Sequence, residues 1–124
     1  MKSLRATHPT SILMRLLSDP HLPEKIEAMN ASEIMGMIEK VGLEDSGEIV
    51  AFASSKQLEH LFDLDLWKAQ KAGSDEIFDP ARFGVWLEVL LELGPRKAGD
   101  KLSEMDEDFL VLAISSLAWV ADSS

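Results

Sequence analysis

The sequence predicts an all-α fold, with about seven or eight short helices in an irregular superhelical stack or bundle. Three observations predict it. Apolar residues recur at i, i+3 and i+4 in Leu13/Leu16/Leu17, Ile34/Met37/Ile38, Ile49/Phe52/Ala53 and Leu58/Leu61/Phe62. The pattern lengthens into Phe83/Trp86/Leu87/Leu90/Leu91 and Leu110/Ala113/Ile114/Leu117/Ala118, each set one stripe down a helix. Most stripes follow a residue suited to capping a helix. No run alternates long enough to argue a strand, since Leu64-Asp65-Leu66 is too short to read. Uneven spacing between the triplets argues against a consensus solenoid.

Residues 1–9 are polar, end at Pro9 and read as a loose tail ahead of a single helical domain over 10–124. Thr10 or Ser11 can cap a helix over Ile12–Ser18, which Asp19-Pro20 stops. Pro23 suits the first turn of a second helix reaching about Met29. Asn30 with Glu33, and Ser54 with Gln57, have the spacing of capping boxes, and Asp45 with Glu48 is a weaker version. Gly42 fits the stop of a helix over Ala31–Val41. The helix that Ser54 opens ends at Trp67. Residues 68–78 read as a loop and hinge centred on Gly73-Ser74, joining sub-parts 10–67 and 79–121. Asp79-Pro80 opens the strongest helix and Gly94 ends it. Pro95 starts a weaker helix to about Glu104, and Asp106 caps the last one, through about Ala121. That helix has no clear glycine stop, so the chain reads as part of a longer protein.

The 124 residues, 46% of them hydrophobic, suffice for one packed core. With aromatics at 6% and no Tyr, that core must be mostly aliphatic. The net charge of −10 disfavours nucleic acid, whose phosphates need cations, and an anionic membrane surface. Lys2, Arg5, Arg15 and Lys25 offset Asp19, Glu24 and Glu27, so the acidic excess lies beyond residue 30. The absence of Cys removes disulfides, thiolate metal sites and Cys nucleophiles. Arg5, His8 and Arg15 interrupt any signal-peptide core, and no apolar run approaches the roughly 18 residues of a membrane span. The expectation is a cytoplasmic protein without membrane insertion.

Chemistry is sparse, and neither enzymatic activity nor a cofactor is expected. His8, His21 and His60 form no helical metal pair, and His60 faces solvent on its helix. Ser54-Ser55, Ser115-Ser116 and Ser123-Ser124 lack a nucleophile-elbow context, and the glycines are too scattered to cradle a phosphate. Two acidic groups are candidate divalent-cation ligands: Asp63 with Asp65, and Glu104, Asp106 and Asp108 beside Glu107. The second group also suits the N-terminal dipole of the last helix. Met35 lies off the Ile34/Met37 stripe; ordinary packing is its first reading, and it is also kept as a candidate partner contact. Trp67, Trp86 and Trp119 read as core anchors, with Trp67 also kept as a candidate interaction residue.

The string Glu59-His60-Leu61-Phe62-Asp63-Leu64-Asp65-Leu66-Trp67, after Ala51–Leu58 and before Val85-Trp86-Leu87, resembles the opening region of a bacterial family of unknown function. The resemblance rests on a Leu-Asp-Leu-Asp-Leu-Trp-like motif at Leu61–Trp67, from which this chain departs at Phe62, and covers roughly 11–121. It implies a longer protein and brings no activity. Residues Leu22–Phe62 are more loosely similar to the helical N-terminal domain of MgtE-type magnesium transporters, which implies a superhelix of short helices. The expected function is a non-enzymatic interaction or regulatory module, its partner a protein or another domain of the same chain. The alternative is a divalent-cation-responsive regulatory domain.

Overall fold

The structure is a computed structural model that describes residue 15 and residues 18–69, 73 and 75–123. The expected tail over 1–9 and most of the expected helix over Ile12–Ser18 lie outside the described residues.

Seven α-helices and one small hairpin make up the described chain. They are α1 (Leu22–Ala28), α2 (Ala31–Val41), a 3₁₀ turn (Leu43–Asp45), α3 (Gly47–Phe52), α4 (Ser55–Asp65), β1 (Trp67–Ala69), β2 (Glu76–Phe78), α5 (Pro80–Glu92), α6 (Pro95–Ser103) and α7 (Glu107–Ser123). The all-α expectation holds apart from the two strands.

Helix starts form where the capping chemistry is. The Asn30 side chain accepts from the Glu33 amide at 2.9 Å, while Glu33 accepts from the Asn30 amide at 3.0 Å. Ser54 and Gln57 repeat this at 3.1 and 2.8 Å. Asp79 accepts from the Arg82 amide at 3.1 Å, and Asp106 from the Phe109 amide at 2.9 Å. Each bond satisfies an amide that the first turn leaves without a helical partner. Gly42 and Gly94 take φ of +98° and +116°, which a side chain would resist, and they reverse the chain after α2 and α5.

Asp45 does not cap α3. The 3₁₀ turn absorbs it, and Ser46 precedes the helix with its hydroxyl turned back to the Gly42 carbonyl at 2.7 Å. Nor does α4 reach Trp67: it ends at Asp65, and Trp67 opens β1. The expected loop over 68–78 is an antiparallel hairpin, with Trp67 opposite Phe78, Lys68 opposite Ile77 and Ala69 opposite Glu76. The Asp79 amide donates to the Leu66 carbonyl at 2.7 Å and closes its base.

Helix α5 is the central element, packed against α3, the 3₁₀ turn, α6 and α7, while α2 lies on α4 and α1 on α3. One continuous core runs from Leu22 to Ala113, with Trp86, Phe62 and Phe83 its largest fully buried side chains. Polar ties lock helix ends together. The Gln57 amide donates to the carbonyls of Ile26 at 2.8 Å and Met29 at 3.1 Å, joining the end of α1 to the start of α4. Lys101 Nζ donates to the Ala53 carbonyl at 2.7 Å, and Ser55 Oγ to the Lys101 carbonyl at 2.9 Å. Burial there pushes the Lys101 ammonium below its ordinary pKa, and Glu104 opposes the shift.

Ser54→Ala is expected to lower stability by about 1 kcal/mol in urea denaturation, the usual cost of losing an N-cap. Gln57→Ala is expected to cost more, because the carbonyls of Ile26 and Met29 lose a donor as well.

Candidate functional site

Two carboxylates two residues apart on a helix point about 200° apart around its axis, as the residues-per-turn value requires. That separates Asp63 from Asp65. Asp63 is exposed at the edge of a recess that Glu59, His60, Phe62, Asp106 and Phe109 complete. Asp65 turns inward, where one oxygen accepts from Arg82 Nε at 2.6 Å and from the Trp86 indole N–H at 2.7 Å. Trp86 is fully buried, so its N–H needs such an acceptor.

The other acidic candidates are dispersed around the start of α7. Glu104 follows α6, Asp106 is held as a cap, and Asp108 is exposed in the first turn. Glu59, which the sequence does not single out, accepts from the Asp106 amide at 2.8 Å and joins α4 to the entry of α7. Among the described residues no group of three or more His, Asp or Glu side chains is placed to hold a metal ion.

Aromatic rings form the base on which α7 lies. Phe62 meets Trp86 edge-on at 5.2 Å and Phe83 at 6.0 Å, and Trp67 meets Phe78 at 5.3 Å. Phe109 of α7 completes the group, 5.7 Å from Phe62 and 6.2 Å from Phe78. Farther along α7, Ala113 is buried and Leu110 and Leu117 pack on the core. The two helices lie close at Gly84 of α5, where a Cβ would stand 3.4 Å from the Leu117 side chain, in near van der Waals contact.

One apolar arc is thereby covered, but α7 is apolar on more sides than one. Val111 at 60% exposure, Ile114 at 54% and Trp119 at 73% face outward, with Leu112 and Val120 also exposed. Beside them runs a groove of 410 Å³, with Ile77, Phe78 and Pro80 on one side and Ser115, Ser116, Trp119 and Val120 on the other. Ile77 is itself exposed. A contiguous apolar surface of this kind marks an interaction site more often than an accident of packing.

Three sequence expectations are corrected here. Met35, at 8% exposure, belongs to the core and offers nothing to a partner, because α2 packs against both α4 and the 3₁₀ turn and so buries a wider arc than its stripe. Trp119 is not a core anchor but the most exposed of the large apolar side chains described. Ile114, placed on the inward stripe of α7 by its spacing, faces out. Trp67 is half-buried against Phe78, which lines the groove. His60 is exposed, as its helical position requires. A signal for the outer face exists in the sequence: from Phe109 to Val120 only Ser115 and Ser116 are polar, more apolar residue than one stripe uses.

In comparisons with known proteins, residues 1–124 match the model of a family described as a family of unknown function (DUF6178). No curated protein and no solved structure matches.

The two ends of this site should respond differently to truncation. Asp65→Ala is expected to cost about 2–3 kcal/mol, because it strands the Trp86 indole and Arg82. Asp63→Ala and Trp119→Ala are each expected to stay within about 0.5 kcal/mol, as exposed substitutions do. Urea midpoints of the three variants check this.

Proposed function

This chain belongs to the DUF6178 family, a family of unknown function, and from its own surface we propose that it is a non-enzymatic protein-interaction module. The observation that carries the reading is the outer face of α7, where Val111, Leu112, Ile114, Trp119 and Val120 stand exposed beside the hairpin groove. Burying an aromatic side chain with several aliphatic ones on association is a strong source of binding free energy, and Trp is a favoured anchor. The partner is a separate protein or another domain of a longer chain. The non-enzymatic part of the reading comes from the sequence, which holds no nucleophile elbow, phosphate cradle or helical histidine pair. Among the described residues no helix is long and apolar enough to cross a membrane, which agrees with a partner met outside the bilayer core.

Site-specific photo-crosslinking tests the reading. A photoreactive residue at position 114 or 119 is expected to form a discrete adduct with a partner in cells, and one at exposed Glu39 of α2 is not. Equal labelling from all three positions, or none from any, would count against the α7 face.

A second reading, a divalent-cation-responsive regulatory domain, is supported by the acidic character of one recess of 280 Å³, which Glu59, Asp63 and Asp106 line without converging on a common point for an ion. It predicts that magnesium or calcium raises the melting temperature beyond the effect of sodium chloride at matched ionic strength, and that Asp63→Asn abolishes the excess. Calorimetric scans with and without the cations decide it.

A further inference from the structure

We infer that the α7 face and the adjoining groove take an amphipathic helix of another protein, one that carries lysine or arginine a turn beyond its apolar anchors. The inference rests on the interaction-module reading and names the chemistry of the partner. Glu107, Val111 and Ile114 recur at i, i+4 and i+7, so the exposed Glu107 continues the line of exposed apolar side chains toward the N-terminal end of α7. Asp108 and Leu112, also at i and i+4 and also both exposed, repeat the order alongside it. The face is therefore apolar along its length and acidic at one end. Its own segment adds nothing of opposite sign: between Lys101 and Ser124 the sequence holds Glu104, Asp106, Glu107, Asp108 and Asp122 and no Lys, Arg or His. Arg82 of α5 and Lys68 of β1 are already engaged, the first with Asp65 and the second with Asp79.

From Val111 to Trp119 the exposed residues span about 12 Å of helix axis, a length that two or three turns of a partner helix match. Its apolar side chains would meet Val111, Leu112 and Trp119 on the side next to the groove, with Ile114 on the far flank, and its cations would meet Glu107 and Asp108 or lie across the Trp119 ring. A second copy of this chain fits poorly. Side-by-side copies in parallel would bring Glu107 against Glu107, and in antiparallel would set it against a stretch without cations, with a net charge of −10 on each molecule.

Anisotropy titration of the whole chain with three labelled synthetic peptides tests the inference. The first is a Leu/Lys amphipathic helix, the second its Leu/Glu counterpart, and the third keeps the lysines but has Ser in place of Leu. The Leu/Lys peptide is expected to bind about tenfold or more tighter than the other two. Trp119→Ala and the double change Glu107→Lys with Asp108→Lys are each expected to weaken it about fivefold or more, with the melting temperature unchanged in the first and modestly lowered in the second, which reverses two first-turn charges that favour the helix dipole. Equal affinity for the Leu/Glu peptide, or no loss in the charge-reversed variant, overturns the cationic partner but leaves the docking face standing if Trp119→Ala still weakens binding. Sedimentation showing a dimer that Trp119→Ala dissociates overturns it in favour of self-association. Binding indifferent to Trp119→Ala, or binding of none of the peptides by a monomeric chain, overturns it and removes the support it gives to the α7 face.

Discussion

One carboxylate oxygen of Asp65 receives both the indole N–H of Trp86 and the guanidinium of Arg82. The constraint behind it is simple: a fully buried indole must find an acceptor, and here it finds one on the neighbouring helix. By supplying one from the last residue of α4, the chain fixes the end of α4 against the start of α5. The geometry of the next segment follows. Leu66 is buried immediately after Asp65, Trp67 turns into the hairpin, and the hairpin must return through Asp79 in time to cap α5. Phe62, one turn before Leu66, is brought edge-on to Trp86, and that aromatic base is what α7 rests on through Phe109. The groove between hairpin and α7 is thus a downstream consequence of a single satisfied polar contact in the core.

Elsewhere the short helices are held at their ends. A helix of about ten residues is marginal alone, and its terminal amides and carbonyls need partners. Gln57 serves three of them, closing its own capping box and reaching the last carbonyls of α1. Lys101 and Ser55 exchange bonds across α6, α3 and α4, and Glu59 reaches the amide that precedes α7. These side chains connect neighbours far apart in sequence, so apolar stripes set which faces meet while polar ends set the register in which they meet.

Helix α7 differs from the others in having more apolar surface than the rest of the domain can cover. Phe109, Leu110, Ala113 and Leu117 account for the covered side. The outward side has a sequence as apolar as the inward one but stands exposed among the described residues, and this asymmetry is the basis of the functional reading. Membership of a family of unknown function neither supplies nor opposes a role, so the reading stands on the surface itself.

Local chemistry was enough to identify the helix starts at Asn30, Ser54, Asp79 and Asp106, because a cap is a bond between residues three apart and needs no tertiary partner. The stripe Leu58/Leu61/Phe62 was equally legible, since helical spacing alone puts those side chains on one face. The hairpin was not, because three residues per strand are too few for alternation to show, and its stability comes from Trp67 on Phe78 and from closure at Leu66. Spacing also places Asp65 three residues after Phe62 and four after Leu61, on the buried face, and Asp63 opposite, but it could not tell that Met35 would be buried and Trp119 exposed. Sequence by itself determined the class of fold, most helix boundaries and the lack of recognisable catalytic motifs, all of which depend on interactions within a few residues. Which apolar faces are covered was decided by the tertiary structure alone, because covering a face requires a neighbour, and among the described residues α7 buries only one of its apolar sides.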